Sequence, residues 1–182
     1  LGRFEEAGAR YRQAISLEPG FAEAHNNLGI TFQKMGKLSN AEASYRKAVA
    51  LKPSYVDAHY NLGIMLQHLN KLDEAEASYR QVITLNPDYY EAHSNLGNTL
   101  RKLNRLDEAE ISYEQAIIVK PDYAEAHNDL GVTLKDLGKL AEAEASYRKA
   151  IEITPDYPEA HYNLGITLHD LGRLRDAESS YR

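Results

Sequence analysis

The chain contains no cysteine, no tryptophan and only two methionines among its 182 residues. Without cysteine there are no disulfides and no thiol chemistry. Basic residues are the minority: 21 Lys and Arg against 27 Asp and Glu leave a formal charge of −6. No basic field is therefore present to hold nucleic acid or an anionic membrane surface. No apolar run approaches the roughly 20 residues of a membrane-spanning helix, and no signal segment is visible. The sequence also lacks a nucleophile–base pair, a glycine-rich phosphate loop and metal-ligand spacing. No catalytic residue, cofactor or metal site is expected.

What the chain has instead is rhythm. Pro19, Pro53, Pro87, Pro121 and Pro155 follow one another at 34-residue intervals. His25, His59, His93, His127 and His161 keep the same interval, as do Tyr11, Tyr45, Tyr79, Tyr113, Tyr147 and Tyr181. A period of this length signals stacked supersecondary units built from paired helices, each too small to bury a core alone. With Ala22 as position 1, residues 1–21 are the second half of a repeat and 22–55, 56–89, 90–123 and 124–157 are complete. Residues 158–182 are a further partial one. One array over 1–182, part of a longer one, is the expected organisation.

Each repeat opens with a helix A. Ser54, Asp88, Asp122 and Asp156, followed three residues later by Asp57, Glu91, Glu125 and Glu159, have the capping-box spacing. Pro158 falls in a first turn, where its missing N–H is harmless. Ala24, Leu28 and Phe32, then Ala58, Leu62 and Leu66, give the apolar stripe. Helix A should stop at position 15, which is Gly2, Gly36, Asn70, Asn104, Gly138 and Gly172, the residue types that tolerate a left-handed backbone. Helix B follows Leu38, Leu72, Leu106, Leu140 and Leu174, with Ser39, Asp73 and Asp107 as caps and Glu42, Glu76 and Glu110 as their carboxylate partners. Gly29, Gly63, Gly97, Gly131 and Gly165 on helix A, with Ala41, Ala75, Ala109, Ala143 and Ala177 on helix B, mark close helix approach, and the helix-B tyrosine supplies the matching bulk. Glu42–Arg46, Glu76–Arg80, Glu144–Arg148 and Glu178–Arg182 are (i, i+4) pairs, a pattern that Glu110–Glu114 breaks.

The Leu-Gly of helix A, the helix-B alanine and aromatic, the second alanine (Ala48, Ala116, Ala150) and the closing proline resemble the tetratricopeptide repeat, or TPR. The departure is position 4, where that family often has tryptophan and this chain has histidine. The resemblance implies an all-α fold, a right-handed superhelical solenoid of antiparallel helix pairs with helix A lining the concave side. The five histidines are expected to be structural, since helices packed 8–10 Å apart cannot bring equivalent positions within the roughly 2 Å reach of one metal. The acidic row Glu23, Asp57, Glu91, Glu125 and Glu159 is read as capping in preference to a cation stripe.

Position 6 carries the candidate function. It is Asn27, Asn61, Asn95, Asp129 and Asn163, where a helix interior does not favour asparagine. On the family's geometry it faces the groove, where a primary amide offers two donors and an acceptor to a peptide backbone. The row is similar to the asparagine ladder of the TPR arm of O-GlcNAc transferases, with Asp129 as the exception. The competing reading pairs these amides with the neighbouring helix. Asn26, Tyr60, Asn98, Arg101, Lys102 and Tyr162 flank the row, and Arg101 with Lys102 makes a basic spot in the third complete repeat. Positions 2, 5 and 6 lack the lysines and arginines of the TPR modules that clamp chaperone carboxylates. The expected function is a non-catalytic scaffold binding an extended segment of another protein. The alternatives are an array that stacks end to end with copies of itself, or a substrate-presenting arm of a larger glycosyltransferase.

Overall fold

A computed structural model describes residues 2–176. They form α1 (Gly2–Leu17), α2 (Ala22–Lys34), α3 (Leu38–Leu51), α4 (Val56–His68), α5 (Leu72–Leu85), α6 (Tyr90–Lys102), α7 (Leu106–Val119), α8 (Ala124–Asp136), α9 (Leu140–Ile153) and α10 (Pro158–Asp170), and residues 174–176 begin a further helix. Ala177, Tyr181 and the Glu178–Arg182 pair lie outside the described residues. The chain divides between Pro87 and Asp88 into two compact units. In the first, α1 through α5 pack each against the next; in the second, α6 through α10 do the same, and α8 also touches both α6 and α10. The expectation of helix pairs at a 34-residue period holds within each unit.

Short turns reverse the chain between partners. Gly36, Asn70, Asn104, Gly138 and Gly172 have φ of 72°, 57°, 59°, 78° and 76°, the left-handed closure expected of these residue types. Lys37 N–H then bonds the Phe32 carbonyl at 2.9 Å, and Lys71 repeats this to Leu66 at 2.8 Å. Gly2 is the first residue of α1, and no residue before it is described.

The caps are not where the acidic spacing predicts. The residues preceding α2, α4, α6, α8 and α10 are Phe21, Tyr55, Tyr89, Tyr123 and Tyr157, none with a side-chain cap bond. Ser54, Asp88, Asp122 and Asp156 sit one residue too early, inside a turn closed by bonds such as Tyr55 N–H to the Lys52 carbonyl at 3.0 Å. Helix B likewise begins at its leucine, behind Lys37, Lys71, Arg105 or Lys139, without a side-chain cap. The acids that would have capped it reach forward instead. Lys71 Nζ donates to both Glu42 oxygens at 2.7 and 2.8 Å, and Lys139 Nζ to both of Glu110 at 2.8 and 2.7 Å. Arg173 does the same to Glu144 at 2.8 Å. Glu23 follows suit on helix A, taking a 2.7 Å bond from Lys52 that holds its carboxyl below the usual range. A cation one repeat further on is a stronger partner for a carboxylate than a neutral N–H. The expected pairs Glu42–Arg46, Glu76–Arg80 and Glu144–Arg148 also form, at 2.8, 2.8 and 2.9 Å.

The core is a stack of tyrosines on glycines. Tyr45, Tyr79, Tyr113 and Tyr147 are fully buried, as are Ala41, Ala75, Ala109 and Ala143. A Cβ added to Gly29, Gly63, Gly97 or Gly131 would stand 2.6–2.7 Å from the ring of the matching tyrosine. That contact is the packing reason for a mid-helix glycine. Three hydroxyls find acceptors: Tyr45 donates to Gln33 at 2.9 Å, Tyr79 to Gln67 at 3.3 Å and Tyr113 to Asn98 at 2.9 Å. In the fourth complete repeat the equivalent positions are Val132 and Lys135, which cannot accept. The buried Tyr147 hydroxyl has no partner among the described residues. Lys135→Gln should therefore stabilise the chain by about 1 kcal/mol, read as a higher thermal midpoint. Tyr147→Phe should be nearly neutral where Tyr113→Phe costs about 1 kcal/mol.

Candidate functional site

The periodic histidines hold the helix-A entry together. Nε2 of His25, His59, His127 and His161 lies 3.1, 2.9, 2.9 and 2.8 Å from the carbonyl of Pro19, Pro53, Pro121 and Pro155. A carbonyl only accepts, so Nε2 is the protonated nitrogen. Each ring ties its helix to the proline that ended the previous one, a structural role, and among the described residues no three metal-ligating side chains converge.

The face behind them carries positions 5, 6, 9 and 10 of helix A. Position 10 is threonine in four repeats, and Thr31, Thr99, Thr133 and Thr167 each donate at 2.8–2.9 Å to the backbone carbonyl of the position-6 residue. The position-6 side chains themselves are half-buried. In the first unit Asn61 Nδ2 donates to Asn26 Oδ1 at 3.0 Å, and Asn26 Nδ2 approaches Asn27 Oδ1 at 3.5 Å. The second unit repeats the device, with Asn163 donating to Asn128 at 3.1 Å and Asn128 to Asp129 at 3.2 Å. Asn61 and Asn163 thus pair with the neighbouring helix A, whereas Asn27 and Asp129 are met from their own helix. Position 5 supplies alternate rungs, through the buried Asn26 and Asn128, of which Asn128 was not singled out as a site residue by its sequence. One Asn61 N–H is used, so its second N–H and its oxygen keep hydrogen-bonding capacity.

The flanking residues separate into two kinds. Tyr60 leans on the core with its ring 6.1 Å from that of Tyr79, whereas Tyr162 is 60 % exposed. Asn98, Arg101 and Lys102 do come together, lining a cavity of about 150 Å³. The spot is less basic than its sequence suggests. Arg101 lies 4.0 Å from Asp136 and close enough to Asp129 to favour that carboxylate, while Asn98 accepts the Tyr113 hydroxyl. Burial nevertheless dominates at Asp129 and raises its pKa.

Sequence spacing missed the aromatics at position 34, although Phe21, Tyr55, Tyr89, Tyr123 and Tyr157 recur at the period. Tyr55 lies beside Asn26 and Tyr123 beside Ser94. Burial raises the pKa of Tyr55 and Tyr123 and pushes Tyr157 up to about 12. Tyr90 and Tyr123 meet edge to face at 5.0 Å, and Lys120 sits 4.3 Å above the Tyr90 ring.

Family models match these repeats along nearly the whole chain. A model described as TPR repeat matches residues 1–36, 97–138 and 133–172. Models described as tetratricopeptide repeat match 22–55, 56–89 and 78–111. No curated protein matches the sequence. Among solved structures, MamA from Desulfovibrio magneticus RS-1 is similar with a TM-score of 0.82 at 20% identity, over 88% of this chain and 90% of that one. YrrB, a TPR protein with an unusual peptide-binding site, gives 0.79 at 24% identity over 93% and 88%. PilW, a type IV pilus biogenesis factor, gives 0.83 at 21% over 97% and 82%. Identities this low carry the fold alone. The period, the glycine–tyrosine contacts and the model matches agree, and the chain belongs to the tetratricopeptide repeat family.

Proposed function

We propose that the chain is a non-catalytic protein-interaction scaffold whose helix-A face binds an extended segment of a partner protein. The observation that carries this reading is the pair of amide relays, Asn61–Asn26–Asn27 and Asn163–Asn128–Asp129. A relay holds each amide in one orientation before any ligand arrives, so little side-chain freedom is lost on binding. The remaining N–H and C=O groups suit a peptide backbone, which any sequence presents, and so favour broad over sequence-specific recognition. The likeness to the O-GlcNAc transferase arm rests on the position-6 row alone, and so does the idea of an arm presenting substrates to an attached enzyme.

The test is an array of unrelated extended peptides scored for binding by fluorescence anisotropy. The double variant Asn61→Ala/Asn95→Ala should weaken the binders at least tenfold while circular dichroism stays unchanged. Undiminished binding by a folded double variant would rule out the amide row as the contact surface.

A further inference from the structure

The repeats serve as controls for one another, and one helix departs from them on a single face. Position 22 is Ala9, Ala43, Ala77 and Ala145 elsewhere but Ile111 in α7. Position 25 is Arg12, Arg46, Arg80 and Arg148 elsewhere but Glu114 in α7. Position 29 is Ser16, Ala50, Thr84 and Glu152 elsewhere but Ile118 in α7. Spacings of three, four and seven residues put all three on one side of the helix. Ile111 is 57% and Ile118 68% exposed, so these isoleucines do not serve the core that the other repeats build without them.

Beside this stripe lies a groove of about 570 Å³ in the second unit, lined by Glu114, Ile117, Ile118, His127, Ala145 and Lys149 among others. It opens between α7 and α9, which both pack on α8. Where Arg46, Arg80 and Arg148 answer the glutamate one turn back, Glu114 follows another acid, and Glu110 is already held by Lys139. Among the described residues Glu114 has no ion-pair partner, because Lys149 in the same groove is taken by Glu152 at 3.0 Å, and it is set between two exposed isoleucines.

We propose that this helix-B face is a second docking surface, and that its occupant is an amphipathic helix of another protein carrying an apolar stripe and one arginine or lysine level with Glu114. The stripe from Ile111 to Ile118 is seven residues, about 10 Å, so about two turns of a helix lying along α7 would cover it. The cation follows from the charge swap: the position that is arginine elsewhere is acid here, and an apolar contact that surrounds an acid needs a positive partner. A second copy docking by the same face would set two Glu114 carboxylates against one apolar patch.

The experiment uses two labelled helical peptides with leucines at i, i+3, i+4 and i+7, alike except for one central residue, arginine or glutamate. The arginine peptide should bind the whole chain saturably and at least tenfold more tightly than the glutamate peptide. Ile111→Ala/Ile118→Ser should weaken it at least tenfold, and Glu114→Arg should reverse the preference. The proposal is overturned by equal binding of the two peptides, by absence of saturation, or by a preference that survives Glu114→Arg. It is also overturned by a wild-type dimer in light scattering that Ile118→Ser dissolves, which would make a second copy the occupant. Asn61→Ala/Asn95→Ala should leave the helical peptide bound, and the α7 variants should leave extended peptides bound, so either surface can fail without the other.

Discussion

Tyr79→Ala should cost about 3–5 kcal/mol, the usual range for removing a large buried aromatic. The more informative result comes from its neighbour. Gly63→Ala places a methyl 2.7 Å from Tyr79 Cε1, against a ring that is fully buried and tied through its hydroxyl to Gln67. Overpacking of this kind costs about 1–3 kcal/mol, opposed by roughly 1 kcal/mol of helix propensity gained on leaving glycine. The single variant should therefore be destabilised. In the Tyr79→Ala background the ring is gone, only the propensity gain remains, and Gly63→Ala should become stabilising. Urea unfolding of the four chains gives the coupling directly. Additive behaviour would mean that the glycine answers to something other than the ring.

Asp129→Asn should raise stability at neutral pH by about 1–3 kcal/mol. Burial raises the pKa of Asp129 despite Arg101 and the Asn128 N–H. A raised carboxyl binds more protons folded than unfolded, so stability falls as pH climbs from the ordinary aspartate value near 4 through the raised folded value. The penalty is complete above that value, where the protein carries an ionised side chain in a half-buried site. Asparagine removes it and keeps an oxygen for Asn128. It also restores a donor toward position 5 of the preceding repeat, the bond that Asn61 and Asn163 make to Asn26 and Asn128. That position is Ser94, whose hydroxyl oxygen accepts as well. Thermal midpoints of the two chains should converge at acid pH and separate as pH rises. Parallel curves would assign the raised pKa no weight in stability.

The parts of this molecule legible in its sequence are those where one residue's chemistry is decisive. A left-handed turn admits glycine or asparagine and little else, so Gly36, Asn70, Asn104 and Gly138 placed the helix ends. Gly63 and Tyr79 announced their contact because a mid-helix glycine needs a reason. The capping boxes misled because spacing is shared by two outcomes. Glu42 stands three residues after Ser39 whether it reaches back to a cap or forward to Lys71, and only the stacking of the next repeat decides. The site was legible in the same measure. A row of asparagines is visible, but the choice of partner is three-dimensional, since Asn26 and Asn61 stand 35 residues apart and meet only when two helices A lie side by side.

The forward reach of those carboxylates has a bearing on how such a chain can change its length. Glu42 to Lys71, Glu110 to Lys139 and Glu144 to Arg173 all span 29 residues, and the receiving position is cationic in every complete repeat: Lys37, Lys71, Arg105 and Lys139. The tether therefore specifies an offset and not an individual partner. Excising 34 residues would hand Glu42 the cation of the following repeat at an unchanged offset, whereas excising 33 would present it with a neighbour of no use. Copy number is left free to drift by whole units while phase is policed at each of these three joints.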